Sequence, residues 1–282
     1  MILSGSHSQS LAAALAAETG QELAGVSRER FPDGEQVLTL DPPDLTGEHA
    51  VVVAATVSDE AYLELLLLQD AAREAGASEV TTVLPYMGYG RQDQAFEAGQ
   101  PVSARALARA VSTGTDRVLV VDPHEPAVCD AFDVPAEPVE AAGLLAKPLG
   151  GLTDPLFLCP DAGAVGLAEA VRDAYGRGAV DHCEKTRHSG AEVSVEPADA
   201  AVDGRDVVLV DDIVATGSTM SEAIAAMAGD AAGVTVACVH ALFVRDAYTK
   251  LRRAGVDAVY ATDTVERPVS EVSVAPAVAD RL

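Results

Sequence analysis

Val207-Val208-Leu209-Val210-Asp211-Asp212-Ile213-Val214-Ala215-Thr216-Gly217-Ser218-Thr219 runs an apolar strand into two carboxylates, then into a hydroxyl-rich turn around a glycine. The continuous Val/Leu run, without alternation, reads as a β-strand covered on both faces, the environment of a parallel sheet. The stretch that follows, Ser218–Met227, reads as a helix. Amide groups at a helix N-terminus point outward with a partial positive charge. Gly217 permits close approach of the backbone, and Thr216, Ser218 and Thr219 add hydroxyl donors. Together they make an anion cradle suited to a phosphate monoester, at the carboxyl end of a strand, where open α/β sheets bind ligands. Asp211 and Asp212 would repel phosphate and are better placed to accept hydrogen bonds from sugar hydroxyls. An ordinary N-cap accounts for a lone Thr or Ser. It does not account for the strand, the acidic pair and the loop together.

Working outward, short apolar runs at Ala50–Ala55, Val80–Leu84, Val118–Val121 and Val234–Val239 alternate with Ala/Leu-rich helical stretches. This βαβ pattern predicts an α/β fold with mostly parallel sheets. The pattern is also written twice. Val51-Val52-Val53, a helical segment over Asp59–Ala75 and the strand at Val80 match Val207-Val208-Leu209, Ser218–Met227 and Val234 at a shift of about 155 residues. The same shift lays Ile2–Ser6 over Phe157–Asp161, and Val118–Val121 near Ser273–Ala275. Two similar α/β domains related by internal pseudo-symmetry are expected, over 1–145 and 146–282. Their junction should lie in the Pro- and Gly-rich Pro138–Pro155. The copies differ where it matters: the first has Ala55-Thr56-Val57-Ser58 in place of the acidic pair and glycine loop.

Composition sets the class. The 282 residues carry a net charge of −25, and 49% are hydrophobic, enough for a real core. Such a field repels nucleic acid and anionic membranes, so neither is an expected partner. No apolar run approaches the roughly 18 residues of a membrane span. The start, Met1-Ile2-Leu3-Ser4-Gly5, has no basic leader, and a soluble cytoplasmic protein is expected. The four scattered cysteines form no Cys-x-x-Cys pair and read as buried free thiols. Lys147, Lys185 and Lys250 are the only lysines among 19 basic residues. Excess carboxylate with depleted lysine suits concentrated salt, where screening removes self-repulsion.

Three further motifs stand in the first half. Phe31-Pro32-Asp33-Gly34-Glu35 is a Pro-Asp-Gly turn flanked by an aromatic and a carboxylate. Pro85–Gln94 follows a strand and carries Arg91, Gln92 and Asp93 on a Gly-containing loop. Arg91 offers a planar fork to phosphate, and Gln92 and Asp93 can read the polar edge of a base. Val120-Val121-Asp122-Pro123-His124 sets a histidine just past a strand end. In the second half, Cys159-Pro160-Asp161-Ala162-Gly163 repeats the strand-end carboxylate and glycine loop. Glu184-Lys185-Thr186-Arg187-His188 reads as an exposed polar loop.

The segment Val207–Thr219 resembles the signature of the phosphoribosyltransferase superfamily. With the other motifs, in order and spacing from about Ser4 to Val272–Leu282, the chain resembles archaeal members of the ribose-phosphate diphosphokinase family. That resemblance implies diphosphoryl transfer from ATP to the anomeric hydroxyl of ribose 5-phosphate, with AMP leaving. It implies ATP binding by Phe31, Asp33, Gly34, Glu35, Arg91, Gln92 and Asp93. Ribose 5-phosphate would be held by Arg187, Asp211, Asp212, Ala215, Thr216, Gly217, Ser218 and Thr219. Mg²⁺ would be held by His124 and Asp161, and catalysis carried by Lys185 and Arg187 on a mobile loop. The resemblance further implies a homo-oligomer, with the Phe31–Glu35 loop reaching a neighbouring subunit. Many relatives carry basic residues where this chain has Gln94-Ala95. A phosphoribosyltransferase would share the ribose loop without needing the Phe31–Glu35 and Arg91–Asp93 elements. A non-catalytic regulatory subunit would be expected to have lost Lys185, Arg187, His124 or Asp161, all of which are present.

Overall fold

The computed structural model describes residues 1–187, 193–197, 201–227 and 229–282, with the backbone alone for 185–187 and 193–197. Two compact units result. The first takes Met1–Glu140, Asp263–Glu266 and Ser273–Leu282; the second takes Ala141–Thr262 and Arg267–Val272.

The first unit holds a five-stranded sheet of β1 (Ile2–Ser4), β4 (His49–Val53), β5 (Glu79–Leu84), β6 (Arg117–Val121) and β7 (Ala136–Val139) in that spatial order. Every pairing in it is parallel. Helix α1 (Gln9–Thr19) follows β1, and β2 (Gly25–Arg30) and β3 (Gln36–Asp41) form a separate antiparallel hairpin. Helix α2 (Asp59–Glu74) follows β4 and α3 (Ser103–Ser112) follows β5. Local chemistry explains α2: the Ser58 hydroxyl accepts from the Ala61 amide, Asp59 and Glu60 sit in the first turn, and Arg73 sits in the last. These charges oppose the helix dipole at both ends. Its Leu65, Leu68 and Ala72 join Leu3, Val52, Val80 and Leu84 in the core. Burying one such leucine contributes about 1.5–3 kcal/mol.

The second unit holds a seven-stranded sheet. Its spatial order is β10 (Val193–Pro197), β9 (Ala179–Arg187), β8 (Leu156–Cys159), β11 (Asp206–Val214), β12 (Gly233–Ala241), β13 (Ala258–Thr262) and β14 (Ser270–Val272). Only the β9–β10 pair is antiparallel. Leu158, Leu209 and Val236 join one apolar cluster, and Phe157, Val208, Val210 and Val239 another. Both faces of the sheet are therefore covered, as the unbroken apolar run of β11 requires. Helices α4 (Val165–Tyr175), α5 (Ser218–Ala226) and α6 (Ala247–Ala254) connect the strands.

The duplication is visible in strand order: β1-β4-β5-β6-β7 corresponds to β8-β11-β12-β13-β14. The register agrees, with Ile2 beside Val51 and Leu156 beside Val207. One expected match is corrected. The counterpart of Val118–Val121 is β13 rather than Ser273–Ala275, because Thr82 pairs with Val118 as Thr235 pairs with Ala258. The shift breaks because the first half inserts the Arg91–Asp93 loop between its third and fourth sheet strands.

The last residues close the first unit. Helix α7 (Ala275–Ala279) lies against α1. Ser8, at the N-cap of α1, accepts from the Ala55 amide instead of capping its own helix. Glu266 takes over, its carboxylate accepting from the amides of Ser10 at 2.6 Å and Leu11 at 3.1 Å. All four cysteines are free and buried. No helix among the described residues is long and apolar enough to cross a membrane.

Candidate active site

In the second unit the acidic pair belongs to the strand. β11 continues through Asp211 and Asp212 to Val214, because β12 pairs with it as far as Ala241. Both carboxylates are half-buried. Asp211 accepts from the Asp212 amide at 3.1 Å, and Asp212 from the Ile213 amide at 2.7 Å. Burial, then the neighbouring Asp212 and Asp161, holds the Asp211 carboxyl well above the ordinary carboxylate range. A group so placed can serve as acceptor or donor to a sugar hydroxyl.

The turn that follows has the conformation the sequence requires. Gly217 lies at φ +69°, and an added Cβ would come within 3.2 Å of the Ala247 carbonyl oxygen. It is the N-cap of α5, and Thr216 donates to the Ser218 hydroxyl at 3.4 Å. Thr216 is exposed, and Ser218 and Thr219 are partly so, around a helix start. Backbone and hydroxyl donors thus surround one point beyond the end of a parallel strand.

Asp161 stands exposed after β8 and accepts from the Gly163 amide at 3.1 Å. It is a hard oxygen donor of the kind Mg²⁺ prefers, and Mg²⁺ is commonly held by one or two carboxylates plus substrate phosphates. Among the described residues, no group of three or more His, Cys, Asp or Glu is arranged to hold a metal by itself. Glu184–Arg187, expected as a polar loop, is instead the end of β9, drawn into extended form by pairing with β10: Lys185 lies beside Val195 and Arg187 beside Val193. The side chains of Lys185 and Arg187, and all of His188, lie outside the described residues.

In the first unit, Phe31–Glu35 is the tip of the β2–β3 hairpin. The Phe31 amide donates to Glu35 and the Gly34 amide to Phe31, with Gly34 at φ +95°. Phe31 is 55% exposed. Sequence reasoning missed what braces this tip: Arg30 donates to the Gly34 carbonyl at 2.7 Å and to Glu60 of α2 at 3.1 Å. The Arg91–Asp93 loop is fixed from beneath. Gly88 lies so close to Thr56 that a Cβ would meet its carbonyl oxygen at 2.2 Å. The Tyr62 hydroxyl donates to the Gly88 carbonyl at 2.7 Å. Gln92 is held at the start of α3, its carbonyl accepting from Ala104 and its side-chain oxygen from the Ser103 hydroxyl. Arg91 and Asp93 point their charge to solvent-exposed positions. His124 is exposed, two residues beyond Asp122, whose φ of +37° turns the chain sharply at the end of β6.

A second missed element is Glu64, one carboxylate inside the run Leu63–Leu68 and only 4% exposed. It accepts from the Ser6 amide at 2.9 Å and hydroxyl at 2.6 Å and pairs with Arg28. A lone acid amid leucines is the signal that could have disclosed a buried polar anchor.

Fold and loop together define a two-unit α/β protein of the phosphoribosyltransferase type, and the comparisons with known proteins narrow this. The N-terminal domain of ribose phosphate pyrophosphokinase matches residues 1–114, and the phosphoribosyl transferase domain matches 135–276. Ribose-phosphate pyrophosphokinase of Halobacterium salinarum is 64% identical over 100% of both chains. That of Methanopyrus kandleri is 47% identical over 99% of this chain and 97% of its own. The crystal structure of phosphoribosylpyrophosphate synthetase from Mycobacterium smegmatis superimposes with a TM-score of 0.84 at 27% identity, covering 100% of this chain and 96% of that one. The chain belongs to the ribose-phosphate pyrophosphokinase family. It is a transferase.

Proposed function

We propose that this chain transfers the β,γ-diphosphate of ATP to the anomeric hydroxyl of ribose 5-phosphate, giving 5-phospho-α-D-ribose 1-diphosphate and AMP. The observation that carries the reading is the coexistence, along one full-length match, of the pyrophosphokinase N-terminal domain and the strand-end sugar-phosphate loop. A phosphoribosyltransferase needs only the second.

The residue roles divide by half, 1–145 serving the nucleotide and 146–282 the sugar. Phe31, Asp33, Gly34, Glu35, Arg91, Gln92 and Asp93 bind ATP. The loop Ala215–Thr219 holds the 5-phosphate, and Asp211 with Asp212 receives the ribose hydroxyls. Asp161 and His124 are carried over from the family as Mg²⁺ ligands; the Asp161 carboxylate is a donor of the kind Mg²⁺ prefers, and the His124 imidazole is an atypical one. Mg²⁺, when bound, supplies neutralisation of phosphate charge. Lys185 and Arg187 offset charge developing on the transferred group, Arg187 also touching ribose 5-phosphate. Transfers of this type are accelerated mainly by positioning and charge stabilisation, without a covalent nucleophile on the protein. The exposed Phe31 at a braced hairpin tip suits contact with a second copy of the chain, making a homo-oligomer.

Product analysis tests the reading. Incubation with Mg-ATP and ribose 5-phosphate should give AMP and the phosphoribosyl diphosphate in equal amounts. Stoichiometric ADP would mean an ordinary kinase.

A further inference from the structure

The loop Ala215–Thr219 contains no cation and follows two aspartates, in a protein of net charge −25. A phosphate dianion there needs compensation, and the segment Leu242–Asp246 is placed to give it. The Phe243 amide donates to Val214 at 3.1 Å and the Val244 amide to Ala215 at 3.0 Å. Gly217 faces Ala247, whose carbonyl oxygen would lie only 3.2 Å from a Cβ at that position. These contacts bracket Thr216 on one side and Arg245 on the other, so the two run alongside each other. Both are exposed.

The segment is strained where Arg245 sits. Phe243 has φ +45° and Arg245 φ +57°, a region that non-glycine residues rarely occupy. Such outliers persist where the surroundings over-determine them, and they concentrate at ligand sites. The surroundings here do so. Arg267 donates to the Leu242 carbonyl at 3.0 Å, and the Phe243 and Tyr248 rings meet at 6.0 Å. The neighbouring cation, Lys250, is paired with Asp246 at 3.4 Å. The Arg245 guanidinium has no ion-pair or hydrogen-bond partner among the described residues.

We propose that Arg245 is a phosphate-binding residue of the sugar-phosphate site, supplying the cation that the loop Ala215–Thr219 lacks. The inference rests on reading that loop as the 5-phosphate cradle. From a backbone position beside the exposed Thr216, a planar guanidinium can give a charge-assisted, two-point contact to a phosphate monoester, while the backbone strain fixes the side chain's origin.

The experiment uses full-length Arg245→Gly, Arg245→Gln and Arg245→Lys proteins. Steady-state kinetics should show KM for ribose 5-phosphate raised about 10- to 100-fold in the Gly and Gln variants, the loss of one charge-assisted hydrogen bond. KM for Mg-ATP should stay within twofold, and Lys should restore part of the loss. Arg245→Gly should melt at or above the parent temperature, because glycine accepts the positive φ without strain. A merely structural arginine would not combine retained stability with a selective loss for one substrate. In parallel, thermal shift with ribose 5-phosphate alone reads binding without turnover; the parent should be stabilised and Arg245→Gly much less so. An unchanged KM for ribose 5-phosphate in Arg245→Gly, or an equal shift in both variant and parent, overturns the proposal. If the parent binds ribose 5-phosphate in an Arg245-dependent way but forms no phosphoribosyl diphosphate, the phosphate site stands and the proposed reaction falls.

Discussion

Lys185 occupies an extended backbone, paired with Val195, at the far end of β9. It is one of three lysines in a strongly acidic chain, so local positive charge at this strand end is scarce and valuable. Removing one preorganised charge-stabilising donor typically costs ~10²–10³ in rate. Lys185→Ala should lower kcat by that order, with Mg-ATP binding and melting temperature little changed; rapid-quench and equilibrium binding measurements check both. Asp211 makes the opposite trade. Its carboxyl is held above the ordinary range by burial, with Asp212 and Asp161 adding to the effect. A raised acid pKa means that the folded state binds more protons than the unfolded one. Its contribution to stability is therefore present at low pH and lost as pH rises through the folded value. Asp211→Asn should weaken ribose 5-phosphate far more than ATP. In metal-free buffer it should also melt above the parent, by a margin that widens from pH 4 to pH 8. A margin that shrinks with pH would show that the carboxylate stabilises the fold.

At the scale of elements, the hairpin β2–β3 shows how an exposed loop is kept in shape. Arg30 ties its tip to α2, but the Arg30–Glu60 pair is 51% and 71% exposed by side chain. Exposed pairs of this kind contribute about 0–1 kcal/mol. Arg30→Ala should therefore leave the melting curve nearly unchanged while raising KM for Mg-ATP several-fold; an unchanged KM would separate the tip from the nucleotide. Elements differed in how far they could be read from sequence. β11 and its loop were plain, since an apolar run ending in Asp-Asp and Thr-Gly-Ser-Thr has few other solutions. The extension of β9 through Glu184–Arg187 was hidden, because its residues are polar and only pairing with β10 makes them a strand. The match of β6 with β13 was lost because the Arg91–Asp93 insertion breaks the common shift. The Glu266 cap on α1 could not be seen at all, acting across 256 residues of sequence. What was legible followed from local periodicity and turn chemistry; what was not depended on partners distant along the chain.

For the molecule as a whole, the acidic balance governs behaviour in salt. With net charge −25, self-repulsion opposes the compact state. Raising KCl from about 0.1 M, where the screening length is ~10 Å, toward 1 M, where it is ~3 Å, should raise the melting temperature. A flat or falling curve in differential scanning calorimetry would remove self-repulsion as a governing force. The division of the chain has a temporal side as well. The first unit borrows Glu266 to finish α1 and α7 to cover it, yet these residues are made after the whole of Ala141–Thr262. At roughly 5–20 residues per second of synthesis, the wait is on the order of ten seconds. Throughout it, the nascent N-terminal half carries an unfinished helix end and a bare apolar flank, with its sheet already complete. The C-terminal half completes its own sheet only with Ser270–Val272, made just after Glu266 and just before α7, so the earlier-made domain waits and the two halves are finished by one short stretch of chain.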